Sequence, residues 1–363
     1  MAMIHEHHGN LLEAGVDAVV NTVNTVGVMG KGIALQFKQA FPDNYQAYRQ
    51  ACRRGEVVIG KMLVFDTQQL GSPRLVINFP TKRHWRSPSR LSDIQAGLVD
   101  LVEVVRVRSI TSIAVPALGC GNGGLDWNDV RPLIVDAFAQ MPAVTVALFP
   151  PAGAPSPAQM PIATPRPPMT LGRAAVVALI LGYVAQARTE RVEASDGASL
   201  LEIQKLMYLL QLLGRPMRLA YAKGRYGPYA EALNHQLQVM EGHFLRGYGD
   251  RSQRVLDLQP IIVLPDVAAE TNAWIQSTNP DLHRQVQEVL DLIDGFASPY
   301  GLELLATVHW AANHEPDGQS SAAALLAAVR AWSQRKATLF SEAHVRAAYD
   351  RLTERGLVAT TPS

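Results

Sequence analysis

The chain has 363 residues, 48% of them hydrophobic, and a formal net charge of +1; it is long enough for two domains with separate cores, and any affinity for nucleic acid must be local rather than that of a polycation. Two cysteines, Cys52 and Cys120, cannot make a disulfide framework, which fits a reducing cytoplasm. No signal peptide is expected at the short, polar start Met1 to His8, and the most apolar helix candidate, Ala174 to Ala185, reads as too short to span a bilayer, so a cytoplasmic protein without membrane contact is expected.

In chain order, His5, His7 and His8 lack cysteine or carboxylate partners at ligand spacing, so neither a metal nor another cofactor is expected. Ala18-Val19-Val20 reads as a buried strand that runs into Asn21-Thr22-Val23-Asn24-Thr25-Val26-Gly27-Val28-Met29-Gly30-Lys31-Gly32-Ile33-Ala34. Gly27, Gly30 and Gly32 let the backbone take positive φ and approach a ligand, and the loop amides with the start of a helix from Gly32 to Phe41 form an anion cradle. The spacing is neither GxGxxG nor a P-loop, and a glycine turn alone is equally a tight strand-to-helix connection.

Helical patterns over Asp43 to Arg53, Ser92 to Val107 and Trp127 to Gln140 alternate with strand-like runs at Lys61 to Phe65, Leu75 to Phe79, Ile110 to Val115 and Val144 to Phe149. This alternation predicts an α/β domain over residues 1–150. From Gln68 to Ser92 no residue is acidic, while Arg74, Lys82, Arg83, Arg86 and Arg90 are basic, with His84 and Trp85 interleaved. Such a stripe suits single-stranded DNA, phosphates on arginines and a base on Trp85, although it also reads as a solvated face. Prolines recur from Pro150 to Pro168, so residues 151–169 read as a semi-rigid, extended linker without hydrogen-bonded structure.

Residues 170–363 read as mainly helical. Ser199-Leu200-Leu201-Glu202 is a capping box opening a helix to Leu213, stopped by Gly214. Tyr221 to Tyr229 reads as a turn or short hairpin leading into a helix at Pro228. Ser341 to Val358 has the helix-then-Gly-Leu-Val pattern of a winged-helix end.

Three segments of the first half resemble one family. Gly9-Asn10-Leu11-Leu12 followed by Val16 to Asn21 resembles the opening of a macrodomain, the α/β module that binds ADP-ribose; Pro116-Ala117-Leu118-Gly119-Cys120-Gly121-Asn122-Gly123-Gly124 resembles its second phosphate loop. Asn78-Phe79-Pro80-Thr81-Lys82-Arg83-His84-Trp85, which ordinary macrodomains lack, makes the set similar to the DarG family of DNA ADP-ribosyl glycohydrolase antitoxins. The resemblance implies a macrodomain, a mixed sheet flanked by helices, that removes ADP-ribose from a DNA base (thymidine), followed by a mainly α domain. It implies as partners ADP-ribosylated single-stranded DNA and a DarT-type ADP-ribosyltransferase toxin. Gln204 to Leu209 and Tyr226 to Tyr229 resemble antitoxin domains of the SocA or Panacea type, which implies toxin binding by residues 170–363; an ordinary helical domain with a tyrosine-rich loop is the alternative.

The resemblance also implies an ADP-ribose site made of Asn10, Leu11, Asn21, Asn24, Thr25, Gly30, Lys31, Gly32, Ile33, Thr81, Leu118, Gly119, Cys120, Gly121, Asn122, Gly123, Gly124 and Leu125. Either Asn21 or Asn24 could meet the distal ribose hydroxyls, since an amide offers a donor and an acceptor to a diol; Asn24 is favoured as nearer the glycine loop. Lys82 matches the catalytic lysine of DarG and of the glutamate-directed macrodomain hydrolase, and Arg83, His84, Trp85 and Arg86 are the expected DNA contacts. A lysine attacks only when uncharged, so desolvation or a cationic neighbour, Arg83 in sequence, must lower its pKa. A surface phosphate contact is its alternative role.

Two departures stand out. Asn10 replaces the usual aspartate that accepts from the adenine amino group, removing charge assistance, and Gly123 stands where the glutamate-directed relative carries an acid. Asp126 reads as the N-cap of the next helix rather than as that acid, and Cys120 as a packing residue rather than a nucleophile. A non-catalytic ADP-ribose reader and a de-ADP-ribosylase acting on protein carboxylates remain as alternative functions.

Overall fold

The computed structural model describes residues 3–68, 71–151, 153, 155–190, 195–214, 217–250, 259–315 and 321–359. Residues up to Pro165, with Gly249 and Asp250, form one compact unit; Arg166–Tyr248 and the residues from 259 onward form the other.

In the first unit, strands β1 (Met3–Glu6), β2 (Ala18–Asn24), β3 (Leu63–Asp66), β4 (Leu75–Lys82), β5 (Ser112–Pro116) and β6 (Thr145–Phe149) form one sheet in the order β1-β6-β5-β2-β4-β3. Every neighbouring pair is parallel except β3 with β4. Side chains of a strand alternate between faces. Ala18, Val20, Leu75, Ile77 and Phe79 therefore build one core with α3 (Leu91–Val107) and α4 (Trp127–Phe138), while Val19, Val23 and Val76 meet α1 (Gly32–Ala40) and α2 (Pro42–Arg53). Strands apolar on both faces belong at the centre of such a sandwich. Helix α3 lies so close to β4 that a β-carbon at Gly97 would come within 2.2 Å of the Phe79 ring.

Strand β1, which has no hydrophobic run, joins the sheet edge through backbone pairing with β6. Strand β2 runs four residues beyond Val20, where polar side chains find partners inside: Asn21 Nδ2 donates to Asn78 Oδ1 across to β4 at 2.9 Å, and Asn78 Nδ2 donates to Asn44 Oδ1 at 2.7 Å. Part of the proline-rich stretch departs from the expected extended linker. Pro157–Gln159 is a 3-10 turn capped by Ser156, and the Ala163 N–H donates to the Gln39 carbonyl at 2.8 Å. Proline fits the first turn of such an element, whose N–H would be unpaired anyway.

The second unit is built from α5 (Leu171–Thr189), α6 (Leu200–Leu212), the hairpin β7 (Ala222–Gly224) and β8 (Gly227–Tyr229), α7 (Glu231–Met240), the pair β9 (Leu245–Arg246) and β10 (Ile262–Val263), and helices α8 (Val267–Thr278), α9 (Asp281–Leu292), α10 (Pro299–His314), α11 (Ala322–Ala331), α12 (Gln334–Leu339) and α13 (Glu342–Glu354). The Ser199–Glu202 box is formed in both directions, and Gly214 takes φ +87°. Pro228 lies inside β8, so the helix after the hairpin begins three residues later than expected. No winged-helix strand follows α13 among the described residues.

Helix α5 corrects another expectation: at 19 residues it is long and apolar enough to cross a membrane. Nine of its residues, including Val177, Ile180 and Val184, are buried in the helical core against α6, α8 and α9. Under the hairpin two lysines are enclosed. Lys205 Nζ donates to the Pro228 carbonyl at 2.9 Å, and Lys336 Nζ donates to Glu303 Oε1 at 2.6 Å and Thr307 Oγ1 at 2.9 Å. Burial pushes the Lys205 ammonium down to about 7, because a low-dielectric surround penalises the charged form.

Candidate functional site

Three segments meet at the C-terminal edge of β2, β4 and β5: the glycine loop Thr25 to Lys31, the stretch from Thr81 to Arg90, and the loop Ala117 to Asp126. Ligand crevices of parallel α/β sheets form outside the carboxyl ends of the strands.

The first two segments are tied by the backbone. Asn24 is the register partner of Lys82, the Thr25 N–H donates to the Lys82 carbonyl at 3.2 Å, and Thr25 Oγ1 donates to the Arg83 carbonyl at 2.7 Å. Thr81, buried beside Lys82, donates to the Val23 carbonyl at 3.4 Å. Lys82 then reaches the third segment: its Nζ donates to the Asn122 carbonyl at 2.8 Å. The two glycine loops also approach each other, since a β-carbon at Gly32, whose φ is +61°, would lie 3.2 Å from Asn122 Nδ2.

Asn24 spends its side chain on its own loop. Its Oδ1 accepts the Val26 and Val28 N–H groups at 3.1 and 3.3 Å, and its Nδ2 donates to the Val28 carbonyl at 2.6 Å. From below, the buried Tyr48 hydroxyl donates to the Asn24 carbonyl at 2.6 Å. Asn21 is fully buried, one residue from the Thr22–Phe79 register pair, with its Oδ1 unpartnered. Lys31 is the exposed N-cap residue of α1, Gly30 lies in open loop, and half-buried Ile33 packs into the core under α1.

The second loop is wound on its own backbone. The Gly124 N–H donates to the Gly121 carbonyl and the Leu125 N–H to the Gly119 carbonyl, both at 3.1 Å, with Gly119 and Gly124 at φ +73° and +79°. Gly123 admits no side chain: a β-carbon there would lie 2.3 Å from both the Gly119 oxygen and Ser89 Oγ. Ser89 backs this loop, its N–H donating to the Gly123 carbonyl at 2.9 Å. Leu118 is buried beneath, and Leu125 packs on the same core. The Cys120 thiol is pushed up to about 11 by burial and by Asp126, so it stays protonated and inert. Asp126 caps α4, accepting the Asn128 N–H at 2.8 Å.

Burial alone holds the Lys82 ammonium below its usual range. The cationic neighbour expected from sequence does not contribute, because Arg83 turns away into a two-pronged ion pair with Asp93 at 2.6 and 3.2 Å. Beyond it, Trp85 is 45% exposed, with His84 stacked at 5.5 Å and Arg86 over the ring at 4.4 Å. Trp85 and Arg86 thus contact each other at the exposed rim, whereas Arg83 is engaged by Asp93.

Asn10 follows the carboxyl end of β1, which runs parallel to β6, β5 and β2. Its Oδ1 caps the 3-10 turn that begins with buried Leu11, accepting the Leu12 N–H at 3.0 Å, and its Nδ2 donates to the Gln159 carbonyl at 2.6 Å. Sequence reasoning missed Asp250. Its carbonyl accepts the Gly32 N–H at 2.9 Å, and its carboxylate accepts from Gln36 Nε2 at 2.7 Å; a partner so distant in sequence leaves no local signal. Ser89 was missed for the same reason. Among the described residues no group of three or more histidine, cysteine, aspartate or glutamate side chains is placed to hold a metal ion. A surface groove of about 710 Å³ along α3 is lined by neither glycine loop.

A family model described as Macro domain matches residues 20–134. The chain is 48% identical over 353 residues to a DNA ADP-ribosyl glycohydrolase of Mycobacterium tuberculosis, covering 96% of this chain and 99% of the relative. It is 38% identical over 141 residues to a DNA ADP-ribosyl transferase-DNA ADP-ribosyl glycohydrolase fusion protein of Thermosipho africanus, covering 35% of this chain and 36% of the relative. The solved macrodomain of Mycobacterium tuberculosis DarG matches at 58% identity and a TM-score of 0.41, covering 42% of this chain and all of that one.

Proposed function

The chain belongs to the DNA ADP-ribosyl glycohydrolase family, and from that membership and the cleft geometry we propose that its macrodomain hydrolyses the N-glycosidic bond between ADP-ribose and a thymidine base in single-stranded DNA. The observation that carries the reading is the place of Lys82, its Nζ 2.8 Å from a second-loop carbonyl on a strand end tied to the first loop. The facing loops hold the diphosphate on backbone amides, which leaves Lys82 beside the distal ribose.

Lys82 forms no ion pair among the described residues, and burial lowers its pKa. An amine relieved of its proton this way is a competent nucleophile. It attacks the anomeric carbon as the bond to the base nitrogen breaks; the electron pair leaves with the base, which takes up a proton, and water then displaces the lysine to give free ADP-ribose. Tight packing at Gly123 excludes the second-loop acid of the glutamate-directed relative, which favours a base as leaving group over a protein carboxylate. Trp85 and Arg86, exposed at the rim, suit a neighbouring base and phosphate. The helical unit is assigned to binding a DarT-type toxin, a reading supported by the transferase named in the Thermosipho africanus fusion relative.

The decisive experiment uses a single-stranded oligonucleotide carrying one ADP-ribosylated thymidine. The wild-type protein should release ADP-ribose and Lys82→Ala should not, while both bind free ADP-ribose. Equal release by the two proteins would remove Lys82 from the mechanism, and no release by either would make the domain a reader of ADP-ribosyl groups.

A further inference from the structure

The corner between α1 and α2 carries a charge imbalance that the cleft chemistry does not use. Between Asp17 and Glu56 the sole acidic residue is Asp43, against Lys31, Lys38, Arg49, Arg53 and Arg54. Arg54 is paired with Glu56 at 2.7 Å, but Lys38 and Arg49 have no ion-pair partner among the described residues. Lys38 Nζ instead lies 4.7 Å from the centre of the Tyr45 ring, one turn before Arg49 on α2. Burial and the repulsion of Arg49 both lower its pKa. Through Tyr45 the lysine thus sits one helical turn from Arg49; two neighbouring cations without an ion-pair partner among the described residues repel each other, and an anion shared by them removes that cost.

The pair is joined to the cleft through the first glycine loop. A β-carbon at Gly27, whose φ is +83°, would lie 3.6 Å from Arg49 Cγ and 3.4 Å from Cys52 Cβ, so the loop rests directly on this part of α2. Its outer residues Val26 and Val28 are 47% and 39% exposed. At its other end Thr25 is bonded to Arg83, two residues before Trp85. The loop therefore lies between an exposed aromatic and arginine platform on one side and, on the other, the half-buried Lys38 with the exposed Arg49, both suited to a polyanion.

We propose that Lys38 and Arg49 bind a backbone phosphate of the single strand that flanks the modified nucleotide, so that the strand is held on both sides of the first glycine loop. The inference rests on the reading that the cleft acts on nucleic acid. Single-strand binding of this kind combines a cationic groove with stacking surfaces and tolerates many sequences. An acidic protein segment would match the charge but leave the Trp85 platform unused.

The test compares wild type with a Lys38→Gln, Arg49→Gln double variant, which removes both charges but keeps the side-chain stem under the loop, first by binding to an unmodified single-stranded oligonucleotide across a salt series, then by turnover of a long ADP-ribosylated oligonucleotide and of ADP-ribosylated thymidine nucleoside. The variant should bind the unmodified strand about tenfold more weakly, and its log-log salt slope should be shallower by about 0.7 for the one lost phosphate contact. Its kcat/KM should fall about tenfold on the oligonucleotide alone, at an unchanged thermal midpoint. Unchanged affinity for the unmodified strand, or an equal loss of turnover on oligonucleotide and nucleoside, would overturn the phosphate contact. A wild type inactive on both modified substrates would overturn the proposed reaction instead, while the binding series would still decide the contact.

Discussion

Lys82 Nζ and the Asn122 carbonyl oxygen lie 2.8 Å apart, joining the end of a central strand to the second glycine loop 40 residues later. The amine is thereby fixed in position, and among the described residues no carboxylate pairs with it to hold its proton.

The charge and reactivity of Lys82 can be separated by substitution. Lys82→Arg keeps the positive charge and cannot become a neutral amine near neutral pH. If the lysine attacks the anomeric carbon, both Lys82→Arg and Lys82→Ala should lower turnover by at least about a hundredfold. Wild-type single-turnover rates should rise with pH as the amine loses its proton, reaching a plateau at a pH below the usual lysine value, because burial lowers its pKa. Near-wild-type rates for the arginine variant would exclude the nucleophile and leave an electrostatic role.

Tyr48 should act on the site through Asn24. Tyr48→Phe removes the hydroxyl that donates to the Asn24 carbonyl at 2.6 Å, a lost hydrogen bond worth about 0.5–1.5 kcal/mol. The expected outcome is a lower thermal midpoint and several-fold weaker ADP-ribose binding by calorimetry, as the first loop loosens. Unchanged affinity in a destabilised protein would confine Tyr48 to the core.

Gly123→Asp tests whether the missing second-loop acid can be restored. The β-carbon would lie 2.3 Å from Ser89 Oγ and from the Gly119 oxygen, so the loop must rewind. Overpacking of this kind costs about 1–3 kcal/mol, and ADP-ribose affinity should drop by about tenfold or more. An active variant with gained turnover on ADP-ribosyl-glutamate would refute this account of the loop.

Lys205 offers a pH test in the helical unit. Its folded pKa, about 7, is lower than its unfolded value of 10.5, so the unfolded chain binds more protons between the two and folding gains stability as pH rises through that window. Relative to Lys205→Met, wild-type stability should climb between about pH 7 and 10.5 with a slope approaching about 1.4 kcal/mol per pH unit. Parallel stability curves in denaturant titrations at several pH values would show that Lys205 is not held in this state.

The α/β organisation of the first unit was legible because central strands and amphipathic helices write their periods into the chain. The Leu75 to Phe79 run and the Ser92 to Val107 pattern reappear as β4 and α3 with small shifts at their ends. Strand β1 was not legible, since an edge strand paired through its backbone needs no apolar signature. Helix α5 was read as shorter than it is because Leu171 and Arg188 continue it beyond its most apolar stretch.

At the site, the sequence by itself determined the residue types and the two glycine loops, since positive φ and close backbone approach restrict the choice to glycine. Tertiary structure alone decided which of these residues are available. It drew Arg83 to Asp93, spent the Asn24 amide within its own loop, brought Lys82 to Asn122 and closed Gly123 against Ser89. Loop and helix patterns arise from neighbours along the chain, whereas the partner of a side chain is whichever group the packed sheet and helices carry to within about 3 Å, and that distance is not written in the local sequence.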